Sequence, residues 1–265
     1  MTTTSATVTP SETELPKIIS VDDHILEPRT LWAEQLPASA RDGGPRVVRE
    51  RIKLEFSGGH YGFTRDAPDG DWCDLWLYED LILPTGLLHA AAGFSRDEQR
   101  NVAAIYEDFR PGTYDQKARL ADMDENHVEV AINYPNTFPR FAGQGFAERP
   151  DKVLAAECIR IYNDWMIDEW CGGDATGRLV PLTLVPLWDP ALAAAEVRRC
   201  AAKGSHAIAF SENPSKLGFA SLYSGDWDPL WDACIDTATT VSMHIGSSST
   251  MPATSPDAPL ATTMS

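Results

Sequence analysis

The chain changes its hydrophobic period several times. Lys17 to Val21 is a short apolar run that ends on Asp22, Asp23 and His24, the pattern of a buried strand with polar side chains at its C-terminal end. His127 to Tyr134 alternates and is rich in β-branched residues, so it predicts a second strand. Leu179 to Leu187, Ala207 to Phe210 and Thr240 to His244 predict three more. Helical periodicity fills the gaps. Asp115 to Asn126 places Leu120 and Met123 on one face, and Arg149 to Cys171 is a long amphipathic stretch stopped by Gly172 and Gly173. Asp189 caps a helix from Pro190 to Lys203 that ends at Gly204, and Asp226 to Thr237 is the last.

Strands that alternate with helices predict βαβ units around a parallel sheet. The fold class is therefore α/β, a (β/α) TIM-type barrel. A closed barrel needs roughly eight strands. The pattern supplies about five, so the expectation is an incomplete barrel over 17–249.

Two parts of the chain depart from the alternation. Glu27 to Thr113 is irregular, with Pro, Gly, Trp32, Trp72, Trp76 and Phe94. A structureless loop of that length is improbable in a compact domain, so an inserted subdomain is expected, with short helices and a small sheet. Ser95-Arg96-Asp97-Glu98 has the form of a capping box that opens one such helix. The two ends, 1–16 and 250–265, are rich in Thr, Ser and Pro without periodicity and are expected to be disordered.

Composition narrows the function classes. The chain has 265 residues, of which 43% are hydrophobic, enough for a sizeable core. The formal net charge of −17 disfavours nucleic acid and anionic membrane as partners. It also repels an anionic substrate unless a bound cation makes the site locally positive. Cys73, Cys158, Cys171, Cys200 and Cys234 are odd in number and lack CxxC spacing, so a disulfide framework or cysteine zinc site is not expected. Reduced thiols, the lack of an apolar span and the lack of a signal-like start point to a cytoplasmic protein. No Gly-rich phosphate loop, nucleophile elbow or dinucleotide fingerprint is present.

The chemistry concentrates at predicted strand ends, which face the active site in parallel barrels. Asp22 and His24 are two apart, so their side chains share a face, whereas Asp23 points the other way. A carboxylate beside an imidazole suits a borderline divalent cation, Zn2+ first and Mn2+ as the alternative. His244 ends the fifth strand and completes a set of three. A surface turn with a helix cap is the better account of D-x-H alone; the similar placement of His244 brings ligation level with it. His60 and His89 fall in the inserted region and read as loop histidines. His127 and His206 precede strands, on the face away from chemistry. Asn133 to Asn136 and Ser211 to Pro214 follow strands and fit either a pocket lining or a Pro-fixed turn.

The segment Val21 to Pro28, followed by Leu31-Trp32, resembles the opening of amidohydrolase-related proteins of the aminocarboxymuconate-semialdehyde decarboxylase-like branch. Arg41 to Arg46 and Tyr223 to Trp231, leading into Val241 to His244, fit the same branch, so the resemblance runs from about Ile18 to Ser249. It implies a barrel with one divalent metal, and most members are non-oxidative decarboxylases of unsaturated or aromatic carboxylic acids while some are hydrolases. The usual first-strand pair is H-x-H; here it is Asp22-x-His24, with His244 matching the fifth-strand ligand. Asp23 and Glu27 belong to the motif but match no ligand. The branch also has an acid/base histidine after the sixth strand and a metal-binding aspartate after the eighth, and no residue of this chain matches either. The implied function is a carboxy-lyase on a small-molecule carboxylate; a hydrolase on the same scaffold and a truncated, inactive chain are the alternatives. Open strand edges would favour association, including a homo-oligomer.

Overall fold

A computed structural model describes residues 16–57, 60–86, 94–98 and 102–250. The terminal segments expected to be disordered lie almost wholly outside these residues. So do His89 and any helix continuing from Ser95, where the described part is a turn with the Ser95 N–H donated to Glu98 at 2.9 Å.

The predicted alternation builds an arc of parallel strands. β1 (Ile18–Ile25) pairs with β6 (Val128–Pro135), which pairs with β7 (Leu179–Val180). β8 (Thr183–Leu184) pairs with β9 (Ala207–Ser211), which pairs with β10 (Thr240–His244). β7 and β8 are two halves of one predicted strand. Pro181 lies between them and has no N–H for the ladder, so the run leaves one neighbour and joins the other there. His127 does not begin the second strand: it adopts a positive φ of 56° just before β6.

The short α1 (Leu31–Gln35) follows β1, and the later helices cover the outside of the arc. The Asp189 side chain caps α5 (Pro190–Ala202), as the sequence predicts, and Asp115, expected inside the helix, instead caps α2 (Gln116–Glu125). α4 (Lys152–Trp165) is capped by Asp151 and continues through a π-helical turn to Cys171. α6 (Asp228–Asp236) precedes β10. Ala155, Cys158, Ile159, Tyr162, Val197 and Leu230 lie in the core between helices and strands.

Between β1 and β6 the chain forms a second, antiparallel sheet. Its strands are β2 (Arg46–Ser57), β3 (His60–Arg65), β4 (Asp71–Tyr78) and β5 (Leu81–Pro84), in the order β3-β2-β4-β5. The expected small sheet is thus present, and of His60 only the backbone is described. β4 is buried on both faces. Cys73 and Leu75 pack with Ile52 and Ala103, whereas Trp76 and Tyr78 belong to the main core.

This second sheet is fastened to the barrel strands. The buried Asp74 carboxylate accepts a bidentate pair from Arg49 at 2.8 and 2.9 Å and the Tyr106 N–H at 2.9 Å. The Tyr106 hydroxyl in turn donates to the Glu27 carbonyl at 2.6 Å, two residues beyond β1. Trp76 and Tyr78 meet Phe138 at ring-centroid distances of 5.5 and 5.3 Å. Phe138 belongs to the segment after β6, so the sheet braces the loop that covers the barrel mouth. The short α3 (Gln144–Ala147) lies at the end of that loop.

Candidate metal centre

The three residues singled out from the strand ends come together. Asp22, His24 and His244 present ligand atoms that all lie within 4.8 Å of one another. The His24 and His244 Nε2 atoms are 3.2 Å apart, and Asp22 Oδ1 is 3.1 Å from His244 Nε2 and 3.7 Å from His24 Nε2. A tetrahedral ion with bonds of about 2.1 Å would have ligand edges of about 3.4 Å. The three edges bracket that value, and two imidazoles with a carboxylate are a common donor set for zinc. The residues therefore fit a divalent metal.

The imidazoles are half-enclosed and oriented. His244 Nδ1 faces the Ile245 carbonyl at 2.5 Å, a contact that places the proton on Nδ1 and leaves the Nε2 lone pair free. The Phe141 ring stacks on His244 at 4.1 Å and meets His24 edge-on at 5.3 Å. Tyr134 lies 5.8 Å from His24 and 5.1 Å from His244, with its hydroxyl beside Ser242. Burial lowers the His24 pKa, and the neighbouring His244 lowers it further, so His24 favours the neutral form that ligates. Asp22 is the open side of the cluster, 68% exposed in its side chain.

A bulge aims this pair. Ser20 is in register with Ala131 and Asp23 with Asn133, so β1 uses three steps where β6 uses two. Without the extra residue, Asp22 and His24 would share the Ser20 face, toward the helices. With it, His24 faces the barrel beside its register partner Tyr134. Asp23 points outward, as the alternation predicts. It accepts from the Ser20 hydroxyl at 2.8 Å and approaches Arg119 of α2 at 3.7 Å. Arg119 also donates to the His24 carbonyl.

Glu27, the motif residue without a predicted role, is fully buried. Its carboxylate accepts the Asn136 N–H at 2.8 Å, and the amides of Thr137 and Phe138 also face it. Burial raises its pKa to about 7. It holds the start of the loop that carries Phe141. Gln144 holds the end: its buried amide accepts from Ala142 N–H at 2.8 Å and donates to the Gly246 carbonyl at 3.1 Å, two residues past His244.

The two ambiguous segments divide. Tyr134 lines the centre, but Asn133 points to the helix layer, where it accepts from Trp170 Nε1 at 2.8 Å. Glu212 is taken up by the loop after β10, accepting from the Ser247 and Ser248 hydroxyls. His206 lies away from the cluster, bonded to the Thr237 carbonyl at 2.9 Å. Phe141, Gln144 and Arg119 were not picked out from the sequence. No local spacing marks them, because each acts across a long separation in the chain.

A parallel α/β arc with an Asp-His-His cluster at its strand ends defines a TIM-barrel-like protein with a candidate metal centre. The profile of the amidohydrolase family matches residues 72–265, and the chain belongs to that family. Among solved structures, an amidohydrolase from Mycobacterium avium subsp. paratuberculosis is similar with a TM-score of 0.58 at 19% identity, over 86% of this chain and 59% of that one. That likeness is one of fold. A 2,6-dihydroxybenzoate decarboxylase from Rhizobium gives a TM-score of 0.44 at 16% identity, over 87% of this chain and 50% of that one. A search of the curated proteins gave no match. The chain thus spans 59% of the length of the first of these structures.

Proposed function

We infer that Asp22, His24 and His244 hold one divalent metal, Zn2+ in the first place, and that the chain serves a carboxy-lyase acting on an unsaturated or aromatic carboxylic acid. The observation that carries this reading is the convergence of the three ligand atoms at the ends of β1 and β10. The motif running from Val21 to Pro28 supports the lyase branch.

A bound ion would supply Lewis-acid polarisation of a substrate oxygen and a local positive charge in a chain of net −17. The protein's own residues do the rest. Asp22, on the open side, leaves room for a small carboxylate to approach. Tyr134 and Phe141 give the imidazoles an apolar wall that excludes water and accepts a planar, unsaturated substrate.

Hydrolysis on the same scaffold is the second reading, favoured by the description of the family as amidohydrolases. The ligands serve both chemistries, since a metal-activated water would be the nucleophile in that case. Metal content of the purified protein is the first test, with Asp22→Ala and His24→Ala as controls. A protein without stoichiometric metal, unchanged by either substitution, would contradict both readings. Release of carbon dioxide against amide or lactone hydrolysis, over a panel of aromatic and unsaturated acids and their derivatives, then separates them.

A further inference from the structure

The facing of both first-strand ligand candidates depends on the β1 bulge between Ser20 and Asp23, the second of two irregularities in the register of β1 against β6. A strand that loses its extra residue turns every following side chain to the opposite face. In β1 that slip would send Asp22 and His24 toward α2 and bring Asp23 inward. Bulges of this kind recur beside active sites, where they re-aim a side chain.

Three residues that bind no ligand grip this bulge from its outer side. The Ser20 hydroxyl donates to Asp23 Oδ1 at 2.8 Å, bridging the two ends of the irregular stretch. Arg119 Nη1 lies 3.7 Å from Asp23 Oδ2, and Arg119 Nη2 donates to the carbonyl of His24 itself. The Arg119 side chain is only 15% exposed, and its Nε is buried without a hydrogen-bond partner. A buried guanidinium with an unused donor is costly, and on α2 itself the charge of Asp122 offsets part of that cost. Its two partners are both on the strand end that bears the ligands.

We propose that Ser20, Asp23 and Arg119 form a lock that sets the bulge register and so positions Asp22 and His24 for the metal. They are positioning residues, and the proposal rests on the metal-site reading given above. It also gives the second acidic residue of Asp22-Asp23-His24 its task. Asp22 faces the metal, and Asp23 holds the strand in the register that lets it do so.

Two measurements on the full chain test this. Titration with Zn2+, and with Co2+ followed by its visible absorption, compares wild type with Ser20→Ala, Asp23→Asn, Arg119→Met and Arg119→Lys. Loss of an outer partner of a metal ligand costs about 10- to 100-fold in affinity. The expected result is a loss of that size for Asp23→Asn and Arg119→Met with an altered Co2+ spectrum, a smaller loss for Ser20→Ala, and partial rescue by Arg119→Lys. Arg198→Met, which breaks an exposed pair with Asp236, should leave both readouts unchanged. The second measurement needs no metal: ring-to-ring nuclear Overhauser contacts among His24, Tyr134 and His244 should weaken in Asp23→Asn and Arg119→Met. Variants that fold, keep these contacts and bind metal as wild type does would overturn the lock. A wild type that binds neither metal overturns the functional reading instead, and the ring contacts then decide the lock alone.

Discussion

The Nε2 atoms of His24 and His244 lie 3.2 Å apart, although 220 residues separate them in the chain. Two imidazoles brought so close, with a carboxylate at 3.1 Å from one of them, gain most from a shared cation. A ligand that binds only the folded chain stabilises it by mass action. Zn2+ at about 100 times its dissociation constant should add about 2.7 kcal/mol to the unfolding free energy. His244→Ala should abolish that increment while leaving the apo protein folded. Thermal or denaturant unfolding with and without Zn2+ reads both effects.

Glu27 ties stability to pH. Its folded-state pKa of about 7 lies above its ordinary value of 4.5, so the folded chain holds this proton more tightly than the unfolded chain. The stabilising contribution is complete below about 4.5 and is lost as pH rises through about 7. A difference of that size corresponds to something on the order of 3 kcal/mol. Glu27→Gln keeps an oxygen for the Asn136 N–H but cannot ionise. The substitution should therefore remove this part of the pH dependence and favour the variant above pH 7. Denaturant midpoints at pH 5 and pH 8 would show it; equal slopes in wild type and variant would speak against it.

Gln144 links the loop after β6 to the loop after β10. Gln144→Ala strands the buried Ala142 N–H and leaves the Gly246 carbonyl with the Ser249 N–H alone, and a buried polar group without a partner costs about 1–3 kcal/mol. The expected outcome is a loss of stability of that order, together with weaker Zn2+ binding because Gly246 follows His244 so closely. Chemical denaturation and a zinc titration on the same preparation would measure the two.

Tyr134→Phe offers the opposite contrast. The ring that flanks both imidazoles stays, and only the hydroxyl beside Ser242 is lost. A typical hydrogen bond contributes about 1 kcal/mol, so a modest fall in stability is expected with Zn2+ affinity unchanged. A large loss of affinity would show that the phenol does more than fill the space beneath the histidines.

Much of the fold was legible along the chain. The alternation of β1, β6, the Leu179–Leu187 run, β9 and β10 with helices follows from local hydrophobic period, and Asp189 caps the helix beside it as its place before Pro190 indicates. The antiparallel sheet was less so. β4 buries both faces, which erases the period-two signal, and its pairing with β2 depends on contacts between distant segments.

For the candidate centre itself, the sequence determined the residue types, the two-residue spacing of Asp22 and His24, and the place of His244 at a strand end. Spacing by two fixes only that Asp22 and His24 share a face. Which face it is was decided in three dimensions, by the register of β1 against β6 and the extra residue between Ser20 and Asp23. The stacking of Phe141 on His244, the burial of Glu27 and the reach of Arg119 to the His24 carbonyl were likewise set by tertiary structure. The reason is physical: periodicity encodes which side of an element is apolar, whereas register, desolvation and long-range hydrogen bonds exist only once separate elements have packed together.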